Sequence, residues 1–514
     1  NTALFDSGFR RRLLEVFENI AEQVDGILVR SENLQALRLL EGTYRKGVEC
    51  VYIDPPYNTG DSEIPYKNGY LFSSWLALME NRLHAAVKLL ADETILFIAI
   101  DDFELADLCQ LIDKSFPSLR REMVVVNHHP QGGKAKTLAT THEYMLVCVP
   151  RDSARTLSGR TSADGIERRP FKRSGTAESN FRRARPNSFY AILVDPKTKK
   201  IVGLEEPPES AYPTGKTKDG SERVYPLGRE GEERVWRRSY ESCLGLVHEK
   251  KLECSDGLTI YQLIAAGERT PALFSNWVAP RYNAGTFGAN LLADIIGKHN
   301  PFAYPKSIHT VGDALFSAGI EDDALCLDFF AGSGTTGHAV INLNREDGGR
   351  RKFILVEMGD YFDTVLVPRI QKVMFTPEWN NGKPKRLPTK EEAERTPRLV
   401  KVLRLESYEE ALHNTFSDKA VERLAEREKA HRDAVGEDGY RLRYLVKLPV
   451  DASDSMLNLA KLEHPFDYTL EVLTDHGPKT ETVDLVETFN WLYGLRVHRP
   501  VTWANEKDKA GKTK

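Results

Sequence analysis

Residues 51–60 read VYIDPPYNTG, an apolar run that meets an acid, two prolines and a tyrosine. Proline cannot extend a helix, and it cannot donate a hydrogen bond to the interior of a sheet. Residues 51–53 are therefore predicted to end a buried strand, with a stiff loop beginning at Asp54. Ligands of open α/β sheets bind at this carboxyl edge of the strands, so the loop is a candidate functional site.

The sequence around this stretch alternates between strand-like and helix-like segments. Between residues 26 and 150, apolar runs such as GILVR (26–30) alternate with segments whose apolar residues recur every three or four positions, such as SSWLALMENRLHAAVKLL (73–90). The same alternation returns between about 289 and 375. We therefore predict an α/β fold with a Rossmann-like, doubly wound and mostly parallel sheet.

A second informative stretch is LDFFAGSGTTGHAV at residues 327–340, where a strand enters a glycine turn and a helix follows. Small residues there let the backbone approach a ligand, and the helix amino terminus offers free N–H groups. No lysine follows as in G-x-x-x-x-G-K-[ST], which disfavours a nucleoside triphosphate. Glu357 ends the next strand 23 residues after Gly334, where an acid accepts hydrogen bonds from ribose in dinucleotide folds. The alternative is a surface acid at a strand end.

Length and composition predict a soluble globular protein with two or three domains, since the chain has 514 residues of which 41% are hydrophobic and 28% charged. We divide it into an N-terminal helical arm, a catalytic half, an inserted domain, a glycine-loop half and a smaller C-terminal α+β region. Their predicted boundaries are 1–25, 26–150, 151–275, 276–395 and 396–514. In the last region, the charged helical stretch at 407–435 indicates a solvated or partner-facing helix.

Composition also bears on the compartment. No apolar run approaches the roughly 18 residues of a membrane span, and no basic segment followed by an apolar one marks the chain for secretion. The six cysteines include no C-x-x-C pair, so we expect reduced core thiols and neither a disulfide framework nor a metal site. A cytoplasmic location is the expectation.

The inserted domain begins with a basic segment. Residues 151–190 hold ten Lys/Arg against four acids, and Phe171, Phe181 and Tyr190 are interleaved with those charges. Basic and aromatic side chains suit phosphate contact and base stacking, although a solvated loop explains the same composition. The candidate DNA-contacting residues are Arg168, Arg169, Lys172, Arg173, Arg182, Arg183 and Arg185.

DPPYNTG at 54–60, followed far downstream by DFFAGSGTT at 328–336, resembles the β-class amino-methyltransferases of DNA, whose catalytic half precedes the cofactor half in the chain. Three further stretches, SSWLALMENRL (73–83), EDGGRRKFILVE (346–357) and DLVETFNWLYGL (484–495), are similar to the modification subunits of type III restriction systems and their larger relatives. The resemblance implies a methyltransferase fold with circularly permuted motif order, S-adenosylmethionine as cofactor, double-stranded DNA as substrate and no metal.

The DPPY loop suits methyl transfer to a conjugated amine. The exocyclic nitrogen of adenine is a poor nucleophile, and hydrogen bonds to the Asp54 carboxylate and the Pro55 carbonyl would draw it out of conjugation and aim it. The second proline, Pro56, adds rigidity, and Tyr57 would stack on a base that has left the duplex. The alternative is a proline-stiffened turn with a buried tyrosine.

The resemblance also implies cofactor contacts. Phe330, Gly332 and Gly334 would line the amino-acid end, Asp328 or Thr335 would contact its ammonium or carboxylate, Glu357 would hold the ribose, and Lys306 would close over the carboxylate. Glu32 and Asn33 would form the wall for the adenine ring, because their strand is expected to adjoin the DPPY strand. The relatives usually carry Asp at the position of Glu32.

Several alternatives remain at the level of sequence. Cytosine C5 methylation needs a cysteine nucleophile, usually beside a proline, and the chain has no Pro-Cys dipeptide. Methylation of the cytosine N4 amine stays open, since only family association connects Asp54 with adenine. A catalytically inert DNA-binding specificity subunit is a third alternative.

The resemblance further implies a biological setting. Residues 151–275 are predicted to be the target-recognition domain, because a specific enzyme must contact base edges. The expected setting is bacterial or archaeal, nucleoid-associated, in a restriction-modification or phage-defence system. The expected protein partners are a second copy of the chain or a helicase and nuclease restriction subunit.

Overall fold

The structure, a computed structural model, describes residues 2–58, 72–132, 137–153, 157–160, 166–265, 272–415, 468–474 and 477–498. The chain divides into two compact units. Unit 1 consists of Asn1–Thr156 and Phe274–Lys514, and unit 2 of Leu157–Leu273. The charged helical stretch predicted at 407–435 lies outside the described residues beyond position 415.

The strands, numbered in chain order, are β1 (Gly26–Arg30), β2 (Val48–Ile53), β3 (Leu90–Ile100), β4 (Leu119–Val126), β5 (Glu143–Pro150), β6 (Ile166–Pro170), β7 (Ile192–Val194), β8 (Ile201–Leu204), β9 (Glu222–Val224), β10 (Leu252–Cys254), β11 (Ile260–Ala265), β12 (Asn276–Trp277), β13 (Leu325–Asp328), β14 (Lys352–Glu357), β15 (Trp379–Asn380), β16 (Lys383–Pro384), β17 (Val400–Arg404), β18 (Thr469–Thr474) and β19 (Gly477–Thr482). The α-helices are α1 (Ser7–Glu15), α2 (Ile20–Gln23), α3 (Asn33–Tyr44), α4 (Phe72–Val87), α5 (Leu105–Ser115), α6 (Tyr240–His248), α7 (Leu291–Ile296), α8 (Ile308–Ser317), α9 (Thr335–Asp347), α10 (Val367–Phe375), α11 (Lys390–Glu394), α12 (Tyr408–Thr415) and α13 (Leu485–Leu492).

Unit 1 is built on a nine-stranded sheet in the order β12-β4-β5-β3-β2-β13-β14-β1-β17. Each neighbouring pair is parallel except the two pairs formed by β5, which runs antiparallel to β3 and to β4. The predicted doubly wound, mostly parallel sheet is confirmed. No strand was predicted from the sequence at the position of β4, whose first five residues alternate between partly buried and exposed.

Helices cover both faces of this sheet. On one face, α3, α4 and α5 pack through residues such as Leu37, Trp75 and Ile112 against alternate strand residues, including Val51 and Leu327. On the other face, α9 packs against β14 and α8 against β2. Since successive strand residues point to opposite faces, Tyr52 and Asp328 must face the second layer of helices.

Strand β1 does not adjoin the DPPY strand, contrary to the sequence expectation. It pairs with β14 on one side and with β17 on the other. The neighbours of β2 are β3 and β13. The glycine-loop half of the chain contributes β13 and β14, which lie between β2 and β1. Residues at the end of β1 are therefore separated from the DPPY strand by two intervening strands.

Unit 2 has two three-stranded sheets, β10-β11-β6 and β8-β7-β9, and helix α6. Its core is rich in aromatic residues, with Phe171 stacked on Trp236 and Tyr190 close to both Trp236 and Tyr240. The Trp236 indole donates to the backbone carbonyl of Tyr190 at 2.9 Å. This core is separate from that of unit 1, as expected for a unit that buries its own apolar surface.

The structure bears on the expected state of the cysteines and on the expected lack of a membrane span. All six cysteines are free and buried, which agrees with reduced core thiols. Within the described ranges, none of the helices combines the length and the apolar character of a membrane span.

Candidate active site

The two motifs meet because β2 and β13 are parallel neighbours. Cys326 lies opposite Cys50 and Leu327 opposite Val51 in this pairing. The carboxyl ends of parallel strands lie at the same edge of a sheet, so the DPPY loop and the glycine loop begin side by side. The strand alternation then directs Asp328 to the sheet face that carries Tyr52.

A cavity of about 570 Å³ lies at this edge, and both motifs line it. From the DPPY segment it is lined by Tyr52, Asp54, Pro55, Pro56 and Tyr57. From the glycine loop it is lined by Asp328, Phe330, Ala331, Gly332, Ser333, Thr335 and Thr336. Its walls carry four carboxyl groups, those of Asp54, Asp101, Glu143 and Asp328, and the ammonium of Lys306. The cavity is therefore suited to a ligand that carries positive charge.

The DPPY loop is held at its far end by buried hydrogen bonds. The Trp75 indole donates to the Pro56 carbonyl at 2.8 Å. Asn58 is 2% exposed, has a left-handed backbone with φ of 60°, and donates its side-chain amide to Glu104 at 2.6 Å. Asparagine tolerates this conformation better than most residues, so the loop can turn sharply after its stiff prolines.

Lys306 contacts two buried carboxylates, one in the DPPY loop and one at the start of β5. Its ammonium is 2.9 Å from the Asp54 carboxylate and 3.2 Å from the Glu143 carboxylate. The Tyr57 hydroxyl donates to Glu143 at 2.9 Å, and the Lys306 nitrogen lies 4.7 Å from the centre of the Tyr57 ring. Lys306 lines the cavity and is paired with two protein carboxylates, and its predicted contact with a cofactor carboxylate stays a prediction.

The charges in this network shift the pKa values of its members. Burial raises the pKa of Asp54, and the Lys306 ammonium opposes that rise. Burial would also raise the pKa of Glu143, but Lys306, His128 and the Tyr57 hydroxyl together hold it below its ordinary value. Burial would lower the pKa of Lys306, whereas the two carboxylates raise it above its ordinary value. We therefore treat Lys306 and Glu143 as a buried ion pair.

The backbone conformation of the glycine loop depends on two of its glycines. Gly332 and Gly334 have φ of 53° and 83°, a left-handed conformation that other residues rarely adopt. A Cβ atom on Gly332 would lie 3.1 Å from the Phe302 ring, and one on Gly334 would lie 3.3 Å from Leu366. Gly334 is also the residue that precedes α9, so the helix amino terminus points toward the loop.

Asp328 and Tyr52 present polar groups to the cavity. Asp328 is 3% exposed and accepts hydrogen bonds from the Phe330 backbone at 3.0 Å and the Thr336 hydroxyl at 2.5 Å. Burial raises its pKa to about 8. The Tyr52 hydroxyl is buried and has no hydrogen-bond partner among the described residues. A buried hydroxyl without a partner is costly, and a ligand in the cavity could form the missing hydrogen bond with Tyr52.

Four predicted cofactor residues, Gly334, Glu357, Glu32 and Asn33, are not among the residues that line the cavity. Glu357 accepts hydrogen bonds from the backbone of Gly332 at 2.8 Å and Gly359 at 2.7 Å, so it supports the glycine loop. Glu32 caps α3, and its carboxylate lies 2.6 Å from the guanidinium of Arg82. Asn33 donates to the Phe329 carbonyl at 3.2 Å and accepts from Arg82 at 2.9 Å. Their contacts with a cofactor stay predictions.

Sequence reasoning missed several residues of the site. Glu143 stands in THEYMLVCV (141–149), a stretch that was noted without a role for its acid. Trp75, Asp101 and His128 were not assigned to the site, although His128 lies 3.7 Å from Glu143. The sequence feature that could have identified Glu143 is an acid at the start of an apolar strand. A charge buried at such a position needs an oppositely charged partner.

Replacing Lys306 with methionine should destabilise the fold in a pH-dependent way. At pH 7 the variant leaves Glu143 buried without its cation, which costs about 3–5 kcal/mol. Without Lys306, the pKa of Glu143 in the folded state rises above its unfolded value, so the loss is small below pH 4 and grows as the pH rises. Urea unfolding of the wild type and Lys306→Met at several pH values measures this difference.

Lys46→Met is the matched control, because Lys46 forms a surface pair with Asp92 at 3.4 Å and should show little change. The double variant Lys306→Met, Glu143→Gln should recover part of the stability lost at pH 7, because Glu143 no longer carries a charge while Asp54 still lacks its cation. A destabilisation that is equal at pH 4 and pH 8 would contradict the buried ion pair.

Comparison with known proteins agrees with this geometry. Residues 48–366 match the DNA methylase family of N6 and N4 methyltransferases. The type II methyltransferase M.KpnI of Klebsiella pneumoniae is 32% identical over 63% of this chain and 79% of its own length. The EcoPI Mod subunit of the type III restriction-modification enzyme of Escherichia phage P1 is 28% identical over 64% of this chain and 57% of its own length.

Among solved structures, a putative DNA modification methylase of Thermus thermophilus in complex with S-adenosyl-L-methionine aligns with 74% of this chain and 98% of its own, at 14% identity and a TM-score of 0.34. The chain spans only a little more than half of the EcoPI Mod subunit. The family match includes both the DPPY loop and the glycine loop, and it confirms the resemblance found in the sequence. This chain belongs to the DNA methylase family of N6 and N4 amino-methyltransferases.

Proposed function

We propose that this chain transfers a methyl group from S-adenosylmethionine to the N6 amine of adenine in DNA, on a base that has left the duplex. One observation carries the proposal, namely that a single cavity is lined by the DPPY loop and by the glycine loop. Methyl transfer requires the donor and the acceptor amine side by side in one space, and both loops border this cavity. The family assignment makes the chain a DNA methyltransferase, with S-adenosylmethionine as its methyl donor.

The cavity fits the donor by charge and hydrogen bonding. S-adenosylmethionine supplies an electrophilic methyl group on a positively charged sulfonium. Asp328, whose burial raises its pKa to about 8, would become fully ionised beside a bound ammonium, and binding at pH 7 would release its proton. Tyr52 would gain a partner for its buried hydroxyl.

The DPPY loop would hold the acceptor amine. The Pro56 carbonyl already accepts from Trp75, so the Asp54 carboxylate and the Pro55 carbonyl are the acceptors that the loop offers the amine. Burial raises the pKa of Asp54, which favours transfer of the surplus amine proton to its carboxylate. Tyr57 is held by Glu143 and Lys306, and its ring would stack on the base.

We propose unit 2 as the target-recognition domain, with a smaller set of DNA-contacting residues than the sequence suggested. Arg182 donates to Pro208 and Ser210 carbonyls, pairs with Glu233 at 3.1 Å and lies 4.6 Å from the Phe189 ring centre. Because these internal contacts occupy its guanidinium, Arg182 is not among the DNA contacts that we propose.

The other basic residues of the set differ in their engagement. Lys172 donates to the Leu227 carbonyl, and Arg168 and Arg183 pair with Glu253 and Glu178. Arg169 and Arg173 are partly buried. Arg185 is exposed, and no salt bridge joins it to any acid in the described part of the chain. It is therefore the strongest candidate for phosphate contact.

The likeness to the EcoPI Mod subunit supports a restriction-modification or phage-defence setting. In that setting, the chain would act with a helicase and nuclease restriction subunit or with a second copy of itself. Its substrate would place it on the bacterial or archaeal nucleoid in the cytoplasm.

The base and the catalytic residue can be tested together by single-molecule sequencing of DNA from a methylation-free host that expresses the chain. Wild-type protein should give N6-methyladenine in one short sequence, and Asp54→Ala should give none. Asp92→Ala, which removes an exposed carboxylate of the same unit, should behave as the wild type.

N4-methylcytosine in the wild-type sample would keep the mechanism and overturn the base. No modification with any of the three proteins, together with intact DNA binding, would favour an inert DNA-binding subunit.

Arg185→Ser should weaken DNA binding for all sequences and reduce the slope of log Kd against log salt by about 1, because one phosphate contact is lost. Its unfolding midpoint should equal that of the wild type. Arg182→Ser should instead lower the unfolding midpoint, since it removes internal hydrogen bonds. Fluorescence anisotropy with a labelled duplex at several salt concentrations measures the slope, and an unchanged slope for Arg185→Ser would exclude Arg185 from the DNA contacts.

A further inference from the structure

Arg369 of α10 is a fully buried cation without a counter-ion. Its side chain is 0% exposed, and no carboxylate lies within ion-pairing distance of its guanidinium among the residues that the structure describes. Its Nε also lacks a partner there. Burying an unpaired charge costs several kcal/mol, so a site that keeps one usually supplies or awaits an opposite charge.

The guanidinium lies beneath the glycine loop and holds two of its hydroxyl groups. Arg369 donates to Ser333 Oγ at 2.7 Å, to Thr335 Oγ1 at 2.9 Å and to the Ser333 carbonyl at 3.3 Å. Arginine can only donate, so both hydroxyl oxygens act as acceptors toward it. The two hydroxyl oxygens lie 3.4 Å apart, so only one of their two protons can bond to the other hydroxyl, and the second proton can be offered to a ligand in the cavity that both residues line.

His338 does not neutralise this charge. Its Nδ1 lies 3.3 Å from Nη2 of Arg369 and must accept from it, which fixes the proton of a neutral imidazole on Nε2. Burial and the neighbouring Arg369 lower the pKa of His338 well below its ordinary value. The cluster of Arg369, His338, Ser333 and Thr335 therefore carries one net positive charge.

The cavity wall formed by the glycine loop consequently has an acidic group at one position and a positive charge at another. Asp328 gives it a carboxyl group that ionises beside a bound cation, and the hydroxyls of Ser333 and Thr335, which are bonded to Arg369, give it a positively charged position. An amino-acid end group has the matching charges, an ammonium and a carboxylate. Lys306 already shares its charge between Asp54 and Glu143, which leaves less of that charge for a ligand carboxylate.

We infer that Arg369 is the counter-charge for the carboxylate of the methyl donor, and that it acts through the hydroxyls of Ser333 and Thr335. The inference rests on the proposed function, since it presumes that S-adenosylmethionine occupies the cavity. Arg369 is thus a positioning residue that makes the enzyme select a donor with an intact carboxylate. A charged hydrogen-bond network of this kind corresponds to a preference on the order of ten- to a hundredfold.

The test compares two ligands on each protein by calorimetry, S-adenosylmethionine and its decarboxylated form. The wild type should bind S-adenosylmethionine on the order of ten- to a hundredfold more tightly. Arg369→Met should bring the ratio of the two dissociation constants close to one, mainly by weakening S-adenosylmethionine, and Arg369→Lys should keep most of the preference. Arg345→Met, which removes a partly buried arginine bonded to the Val373 carbonyl and Thr396, should leave the ratio unchanged.

The ratio is insensitive to a general loss of folded protein, because both ligands are measured on the same sample. If Arg369→Met does not fold, Ser333→Ala combined with Thr335→Val should reduce the preference by removing the two hydroxyls. A wild-type preference that persists in both variants would overturn the inference while leaving the proposed function intact. Failure of the wild type to bind either ligand would contradict the proposed function itself.

Discussion

Strands β2 and β13 lie side by side and parallel, although the whole of unit 2 separates them in the sequence. This pairing brings the end of the DPPY strand to the end of the glycine-loop strand. Because strand residues alternate between faces, the apolar Val51 and Leu327 pack against α3 to α5, while Tyr52 and Asp328 face the cavity. Every other feature of the site depends on this one register, since a shift by one residue would exchange the two faces.

Electrostatics gives the cavity its chemical character. Four carboxyl groups line it, and the one lysine among its lining residues is bound by two of them. Burial raises the pKa of both Asp54 and Asp328, and a cationic ligand beside them would favour their ionised forms. A sulfonium donor with an ammonium end group has this property. The buried Arg369 adds a positive charge beneath the loop that would hold the donor's carboxylate.

The sequence allowed the fold class and the two loops to be predicted because both depend on local signals. DPPY after an apolar run and G-S-G before a helix each constrain the backbone within a few residues. The place of β1, the pairing of Glu143 with Lys306 and the burial of Arg369 could not be predicted, because each depends on partners far away in the chain. Arg182 shows the same limit, since its charge suggested DNA contact and its neighbours in unit 2 use it internally.

The central claim is that the donor binds between the two loops, and a crystal structure with sinefungin tests it most directly. Sinefungin carries an amine where S-adenosylmethionine carries its methyl sulfonium, so its position marks the reacting centre. We expect its added amine within hydrogen-bonding distance of Asp54 or the Pro55 carbonyl, and its amino-acid end against Ser333 and Thr335. Binding elsewhere, for example in the cavity of about 240 Å³ lined by Tyr44, Lys352 and Trp491, would contradict the account.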